Sequence, residues 1–284
     1  MIALLVLPVL LFPEFSPTLV EFGPFTLAGY QLGPFGLRWY ALAYILGLVL
    51  GWRLMRRLVR LAPAAANEVQ VDDFLTWATI GVVLGGRLGY VLFYQPAYYL
   101  ANPAKALEVW HGGMSFHGGF LGVAVATIWF CHRQRIPWLG FADRLAVVAP
   151  LGLMFGRVAN FINGELWGRQ APDWLPWAMV FPTGGDLPRH PSQLYQAALE
   201  GLLLFVVLFA LSRREAIRAR FGTLTGLFLI GYGLARVVGE FFRQPDAFLG
   251  LLFAGATMGQ ILSVPMVLAG IWLVLGANRH VRAA

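Results

Sequence analysis

The sequence predicts an all-α, polytopic integral membrane protein with seven transmembrane helices, its N-terminus outside and its C-terminus inside. Three observations carry this. Of the 284 residues, 58% are hydrophobic and 12% charged, against roughly 25% charged in an ordinary soluble domain. The mean hydropathy is +0.67, and the apolar residues collect in runs of spanning length. Finally, only Lys105 among the 21 basic residues is a lysine, and the arginines gather in short loops between apolar runs. Such loop charge sets orientation in a membrane. The net charge of +7 is therefore read as topology, and no nucleic-acid partner is expected.

Taken in order, Met1 to Phe12 is apolar but too short to span, and Pro8 interrupts it. It has neither a basic start nor a small-residue cleavage site, so it is expected to lie along the interface and is not read as a signal peptide. The first span, about 39–57, carries Arg53, Arg56 and Arg57 toward its end, with Arg60 just beyond, which places that end inside. Spans follow at about 73–94, 118–130 (ending in Cys-His-Arg-Gln-Arg), 144–161, 192–211, 223–242 and 256–275. Every loop assigned to the inside is rich in arginine, as is the tail with Arg279 and Arg282. Residues 1–284 are read as one transmembrane domain with a small extracytoplasmic loop region at about 163–191, rich in Pro, Gly and Trp. Cys131 is the single cysteine. No intrachain disulfide is possible, and the residue reads as an inert helix end.

The stretch Gly156 to Gly168 ends an apolar run with Arg157, Asn160, Asn163 and Glu165. Each is costly near lipid without a partner. Arg157, Asn160 and Gly164 recur on one helical face, and Asn163-Gly164 ends the helix. Arg157 has counterparts in Arg87 and Arg236 on the other two outward-running helices. Each lies about 13 to 14 residues from its inner start, roughly 20 Å at 1.5 Å per residue. Matched depth predicts a shared anion pocket in the outer half of the bilayer, with Glu240 and Glu200 as the acids at hand. Arginine suits such a pocket, because its planar fork grips phosphate and stays charged when desolvated. Arg236, Glu240 and Arg243 fall on one face of the sixth helix.

Two segments present histidines. Trp110 to Gly122 holds His117 between two glycine pairs, and a histidine can act as general base near neutral pH. His111 reads as structural. Ser115 lies two residues from His117, but no G-x-S-x-G elbow accompanies it and i, i+2 residues do not share a helix face. Serine hydrolysis is disfavoured. His190 precedes Pro191-Ser192, read as the start of the fifth helix, where Gln193, Gln196 and Glu200 form a polar stripe. The histidines are scattered and no H-E-x-x-H occurs, so no metal and no cofactor are expected.

Five motifs together resemble the phosphatidylglycerol–prolipoprotein diacylglyceryl transferase family: G-G-R-L-G-Y-V-L-F-Y, G-G-M-S-F-H-G-G, G-R-V-A-N-F-I-N-G-E-L-W-G-R, R-H-P-S-Q-L-Y and E-F-F-R-Q-P-D. Lesser matches, L-R-W-Y-A-L-A-Y and M-G-Q-I-L-S-V-P-M, extend the similarity from about Pro13 to Leu275. The resemblance implies a multi-pass enzyme of the bacterial inner membrane with its active site toward the periplasm. Its partners would be phosphatidylglycerol and a preprolipoprotein signal peptide bearing the lipobox cysteine. The diacylglyceryl group would pass to that thiol, giving a thioether and glycerol 1-phosphate without a metal. On this reading Arg157 and Arg243 hold the phosphate, with Arg87 and Arg236 beside or behind them. Asn160 and Asn163 orient headgroup hydroxyls, and Glu165 holds an arginine or touches the headgroup. Tyr40 matches a family position needed for activity. His117 matches the suspected base, and a field of arginines that lowers the thiol pKa is the alternative. The rival function class is an anion-binding transporter or lipid flippase. The lack of internal repeats and of helix breaks at the midplane counts against it.

Overall fold

The structure is a computed structural model that describes residues 10–13, 15–16, 18–27, 29–109, 112–245, 252 and 255–280. Residues 1–9, His111, Asp246 and Arg282 lie outside the described residues. The chain forms two compact units, Met1–Arg53 with Ala146–Ala284, and Leu54–Leu145.

All seven expected spans are helical. They are α1 (Trp39–Val59), α2 (Glu68–Phe93), α4 (Phe116–Gln134), α5 (Trp138–Ile162), α6 (Ser192–Ser212), α8 (Thr223–Phe242) and α9 (Met258–His280); α3 (Pro96–Ala101) and α7 (Glu215–Arg218) are short connectors. Five of them, Glu68–Phe93, Trp138–Ile162, Ser192–Ser212, Thr223–Phe242 and Met258–Ala277, are long and apolar enough to cross a membrane. Along these helices Leu92, Phe93, Leu202, Leu203, Leu268 and Trp272 are exposed, the inside-out pattern of a lipid-facing surface.

Local signals explain the helix ends. α2 begins five residues before the expected Asp73, because Asn67 and Gln70 form a capping box with reciprocal bonds of 2.9 and 3.0 Å. Ser115 caps α4 by accepting the Gly118 N–H at 3.2 Å. Pro191 precedes α6 as expected, and a π-helical turn occupies Ala197–Leu203 within it. Gly222, at φ 96°, precedes α8.

Strands are the unexpected feature. Before α1 the chain forms β1 (Leu10–Leu11), β2 (Thr18–Phe22), β3 (Phe25–Leu27), β4 (Tyr30–Leu32) and β5 (Phe35–Arg38). β2 pairs antiparallel with β5 and β3 with β4. Leu10 and Leu11 of the apolar leader run parallel to β6 (Met179–Val180). β5 leads straight into α1, which puts Tyr40 in the first helical turn.

In the Leu54–Leu145 unit, α2 and α4 meet along glycines. A Cβ on Gly85 would lie 2.7 Å from Gly122 Cα, and one on Gly122 would run into the Gly81 carbonyl. Such small-residue seams let helix backbones approach where lipid offers no hydrophobic drive. Gly122→Ala is therefore expected to destabilise the protein by about 1–3 kcal/mol, seen as a lower thermal midpoint in detergent. An unchanged midpoint would contradict the backbone contact.

Candidate active site

The larger unit gathers its charges where α5, α6 and α8 supply them. Glu200, 0% exposed, sits in the π-helical turn of α6. One carboxylate oxygen lies 3.3 Å from Arg157 Nη2 of α5, and the other 3.6 Å from Arg236 Nη1 of α8. Arg236 Nη2 continues to Glu240 Oε1 at 2.6 Å, and Arg243 Nη1 reaches the same oxygen at 3.5 Å. Gln196 accepts from Arg236 Nη1 at 3.4 Å. Glycines make the room. A Cβ on Gly201 would lie 2.7 Å from Met154 Cα, and one on Gly259 2.7 Å from Glu240 Oε1. π turns recur at functional sites because they re-aim side chains within a helix.

Three guanidiniums thus gather around two carboxylates in these ion pairs. The acids are buried, whereas the arginine side chains keep 13 to 18% of their surface exposed. An approaching anion would meet guanidinium. Of the three arginines grouped by depth, Arg157 and Arg236 both lie against Glu200, and Glu240 pairs with Arg236 and Arg243; Arg87 belongs to the Leu54–Leu145 unit.

The α5 C-terminus builds the adjoining polar site. Gly164, at φ 65°, ends the turn, and the chain folds back so that Glu165 N–H donates to Asn160 O at 3.1 Å. Asn160 Nδ2 then donates to Glu165 Oε1 at 2.8 Å, with Asn163 Nδ2 at 3.5 Å from the same oxygen. Asn160 Nδ2 also lies 3.5 Å from Tyr40 Oη, itself 3.5 Å from Tyr44 Oη one turn along α1. Leu166 holds φ 55°, a costly conformation for a branched side chain. Ser192 Oγ donates to its carbonyl at 3.1 Å, and Gln193 Nε2 donates to that of Glu165 at 2.6 Å. A half-open cavity of about 540 Å³ is lined by Arg38, Tyr40, Tyr44, Asn163 and Glu165.

Arg169 ties this segment to α8. Its N–H donates to Phe242 O at 2.8 Å and its Nε to Arg243 O at 3.0 Å. His190, a candidate substrate-binding residue, is set among aromatic side chains. Its Nδ1 lies 3.2 Å from Tyr195 Oη, which accepts from Trp177 Nε1 at 2.7 Å. Its ring also packs on Phe242 at 5.2 Å. Burial holds the imidazole pKa below the usual histidine value. These contacts brace the loop where it enters α6.

In the Leu54–Leu145 unit, His117 is exposed on the first turn of α4. Ser115 is 5% exposed with its hydroxyl used as the helix cap, which agrees with setting serine hydrolysis aside. Arg87 is buried, and its N–H groups point at main-chain carbonyls.

Comparison with known proteins assigns this arrangement. A family model described as Prolipoprotein diacylglyceryl transferase matches residues 28–276. The chain belongs to that family. It is 63% identical over 271 residues to the phosphatidylglycerol–prolipoprotein diacylglyceryl transferase of Gluconacetobacter diazotrophicus, covering 95% of this chain and 93% of the relative. The protein of the same name from Acidiphilium cryptum is 58% identical, covering 95% of each chain. That of Azospirillum brasilense is 59% identical, covering 88% of this chain and 94% of its own. Three residues of these surroundings lie inside the quoted motifs but received no role from the sequence: Arg38 and Tyr44 in L-R-W-Y-A-L-A-Y, and Arg169 at the end of G-R-V-A-N-F-I-N-G-E-L-W-G-R. Tyr44 was within reach as the i+4 neighbour of Tyr40. The sequence around Arg38 and Arg169 does not reveal what they line or bind.

Proposed function

We propose that this protein transfers the sn-1,2-diacylglyceryl group of phosphatidylglycerol to the lipobox cysteine thiol of preprolipoproteins. The observation that carries the reading is the convergence of Arg157, Arg236 and Arg243 around Glu200 and Glu240, in a chain of this transferase family. The cysteine sulfur forms a bond to the terminal glycerol carbon as that carbon's bond to the phosphate oxygen breaks. The electron pair leaves with glycerol 1-phosphate. Charge grows on the departing phosphate, so positioned guanidiniums lower the barrier. Arg157 and Arg243 hold that phosphate and Arg236 adds to the field from Glu200 and Glu240. The hydroxyls of the glycerol headgroup are suited to Glu165, Asn160, Asn163 and Tyr40, which together offer acceptors and donors. A thiol has pKa ≈ 8.5, so its proton goes to His117, or to water with the thiolate stabilised by the arginine field.

In the same reading the chain is one transmembrane domain of seven helices in the bacterial inner membrane, N-terminus out and C-terminus in. The 163–191 loop and the active site face the periplasm. The arginine-rich inner loops support that orientation.

Purified protein in phosphatidylglycerol vesicles, given a lipobox peptide, is expected to raise the peptide mass by one diacylglyceryl group and release glycerol phosphate in equal amount. Lipid movement between leaflets without any mass gain would instead favour a flippase and sink this reading.

A further inference from the structure

Backbone carbonyls converge on the guanidinium of Arg87. Nε donates to Ala106 O at 2.8 Å and Nη2 to Lys105 O at 2.6 Å. Nη1 donates to Gly112 O at 2.6 Å and Gly113 O at 3.2 Å. The residue is 6% exposed, with Tyr99 packed 5.2 Å from its Cζ. A guanidinium has five N–H donors in a rigid fork, and these bonds commit it to both ends of one connection between α3 and α4. Gly112 and Gly113 make the grip possible. Their φ values of 80° and 76° belong to the left-handed region and turn two successive carbonyls toward one nitrogen. A Cβ on Gly113 would stand 2.9 Å from Nη1. Alongside, the Ser115 N–H donates to Gly86 O at 2.8 Å, and the Ser115 hydroxyl caps α4. His117 follows two residues later.

From this geometry we infer that Arg87 is a positioning residue: by gripping main chain it fixes the start of α4, and with it His117, instead of holding the lipid phosphate. The inference rests on the transferase reading above, in which His117 serves the thiol. A phosphate at Arg87 would have to displace the carbonyls that already accept from its N–H groups, and those hydrogen bonds would be lost. Lysine is no substitute. It brings the charge but only a single nitrogen, which cannot span carbonyls on two sides of the loop.

The test compares the wild type with Arg87→Lys and Gly113→Ala, as full chains in phosphatidylglycerol vesicles with a lipobox peptide. Steady-state kinetics and amide hydrogen exchange over 103–118 are both read. Arg87→Lys is expected to lower kcat about 100-fold, the effect of misplacing a reacting group by about 1 Å. KM for phosphatidylglycerol should stay within about twofold, and exchange should speed up in 103–118 but not in α6 or α8. Wild-type turnover in this variant overturns the inference. So does a raised KM with unchanged kcat and unchanged exchange, the behaviour of a phosphate ligand. If Arg87→Lys does not fold, Gly113→Ala decides, since it moves a gripped carbonyl and keeps the guanidinium. The same selective loss of kcat supports the positioning role, and wild-type kinetics overturn it. A wild type that transfers nothing would defeat the transferase reading itself, and the role of Arg87 would fall with it, so the two failures are told apart.

Discussion

Arg157→Ala is expected to lower diacylglyceryl transfer by about 10³-fold, the scale of removing one preorganised donor from a developing anion, while the protein still inserts and folds. Arg157 stands at the exposed edge of the cluster, its side chain 18% accessible, with Glu200 behind it at 3.3 Å. Truncation removes the group that meets the anion. Glu200 keeps its second contact with Arg236, so the buried carboxylate is not abandoned. The cluster also loses one unit of positive charge. Both effects act on the phosphate as it gains charge, so kcat should fall as well as kcat/KM. Arg157→Lys should recover only part of the rate, since an ammonium restores the charge without the fork. A thermal midpoint near that of the wild type would show that the fold survives. Near-normal transfer by Arg157→Ala would remove the phosphate-clamp mechanism.

The helices were legible because lipid makes them so. A run such as Leu145 to Phe155 has no other economical place, and the arginines after each inward run mark its end. Expected and observed helix ends agree closely for α6 and α8, where Pro191 and Gly222 punctuate the chain. At α2 the hydropathic reading began at Asp73, although Asn67 and Gln70 carry a capping-box pattern that a local reading detects. The strands of 2 to 5 residues before α1 are too short for period-two patterning to stand out among prolines and glycines.

The site was half legible, and Arg87 shows why. Depth along a helix is a sequence property, and it grouped Arg87, Arg157 and Arg236, of which Arg157 and Arg236 both lie against Glu200. Which groups a guanidinium meets is a tertiary property. Arg87 has the same depth and a similar glycine neighbourhood, yet its donors reach carbonyls 18 to 26 residues away. The setting of His190 was illegible for the same reason, since Trp177 and Tyr195 supply it from elsewhere in the chain. Asn160, Asn163 and Glu165 were found together because five residues of one turn bring them together.

Glu200 is where the largest loss of stability is expected. It is wholly buried, and it bridges Arg157 and Arg236 from the π turn of α6. Breaking a buried ion pair from one side costs about 3–5 kcal/mol, because the partner charge is left uncompensated. Glu200→Gln preserves volume and one acceptor, so any loss it causes is electrostatic and does not come from a cavity. Its thermal midpoint in detergent should fall on the order of 10 °C. The same substitution removes one negative charge from the cluster. An anionic lipid can then do part of the work of the missing carboxylate. Added phosphatidylglycerol should therefore raise the midpoint of Glu200→Gln more than that of the wild type, since a ligand stabilises in proportion to its preference for the folded state. A zwitterionic lipid of equal chain length should not reproduce the difference. A midpoint within a degree or so of wild type, or equal stabilisation of both proteins by the two lipids, would mean that Glu200 is not what restrains the charge of this site.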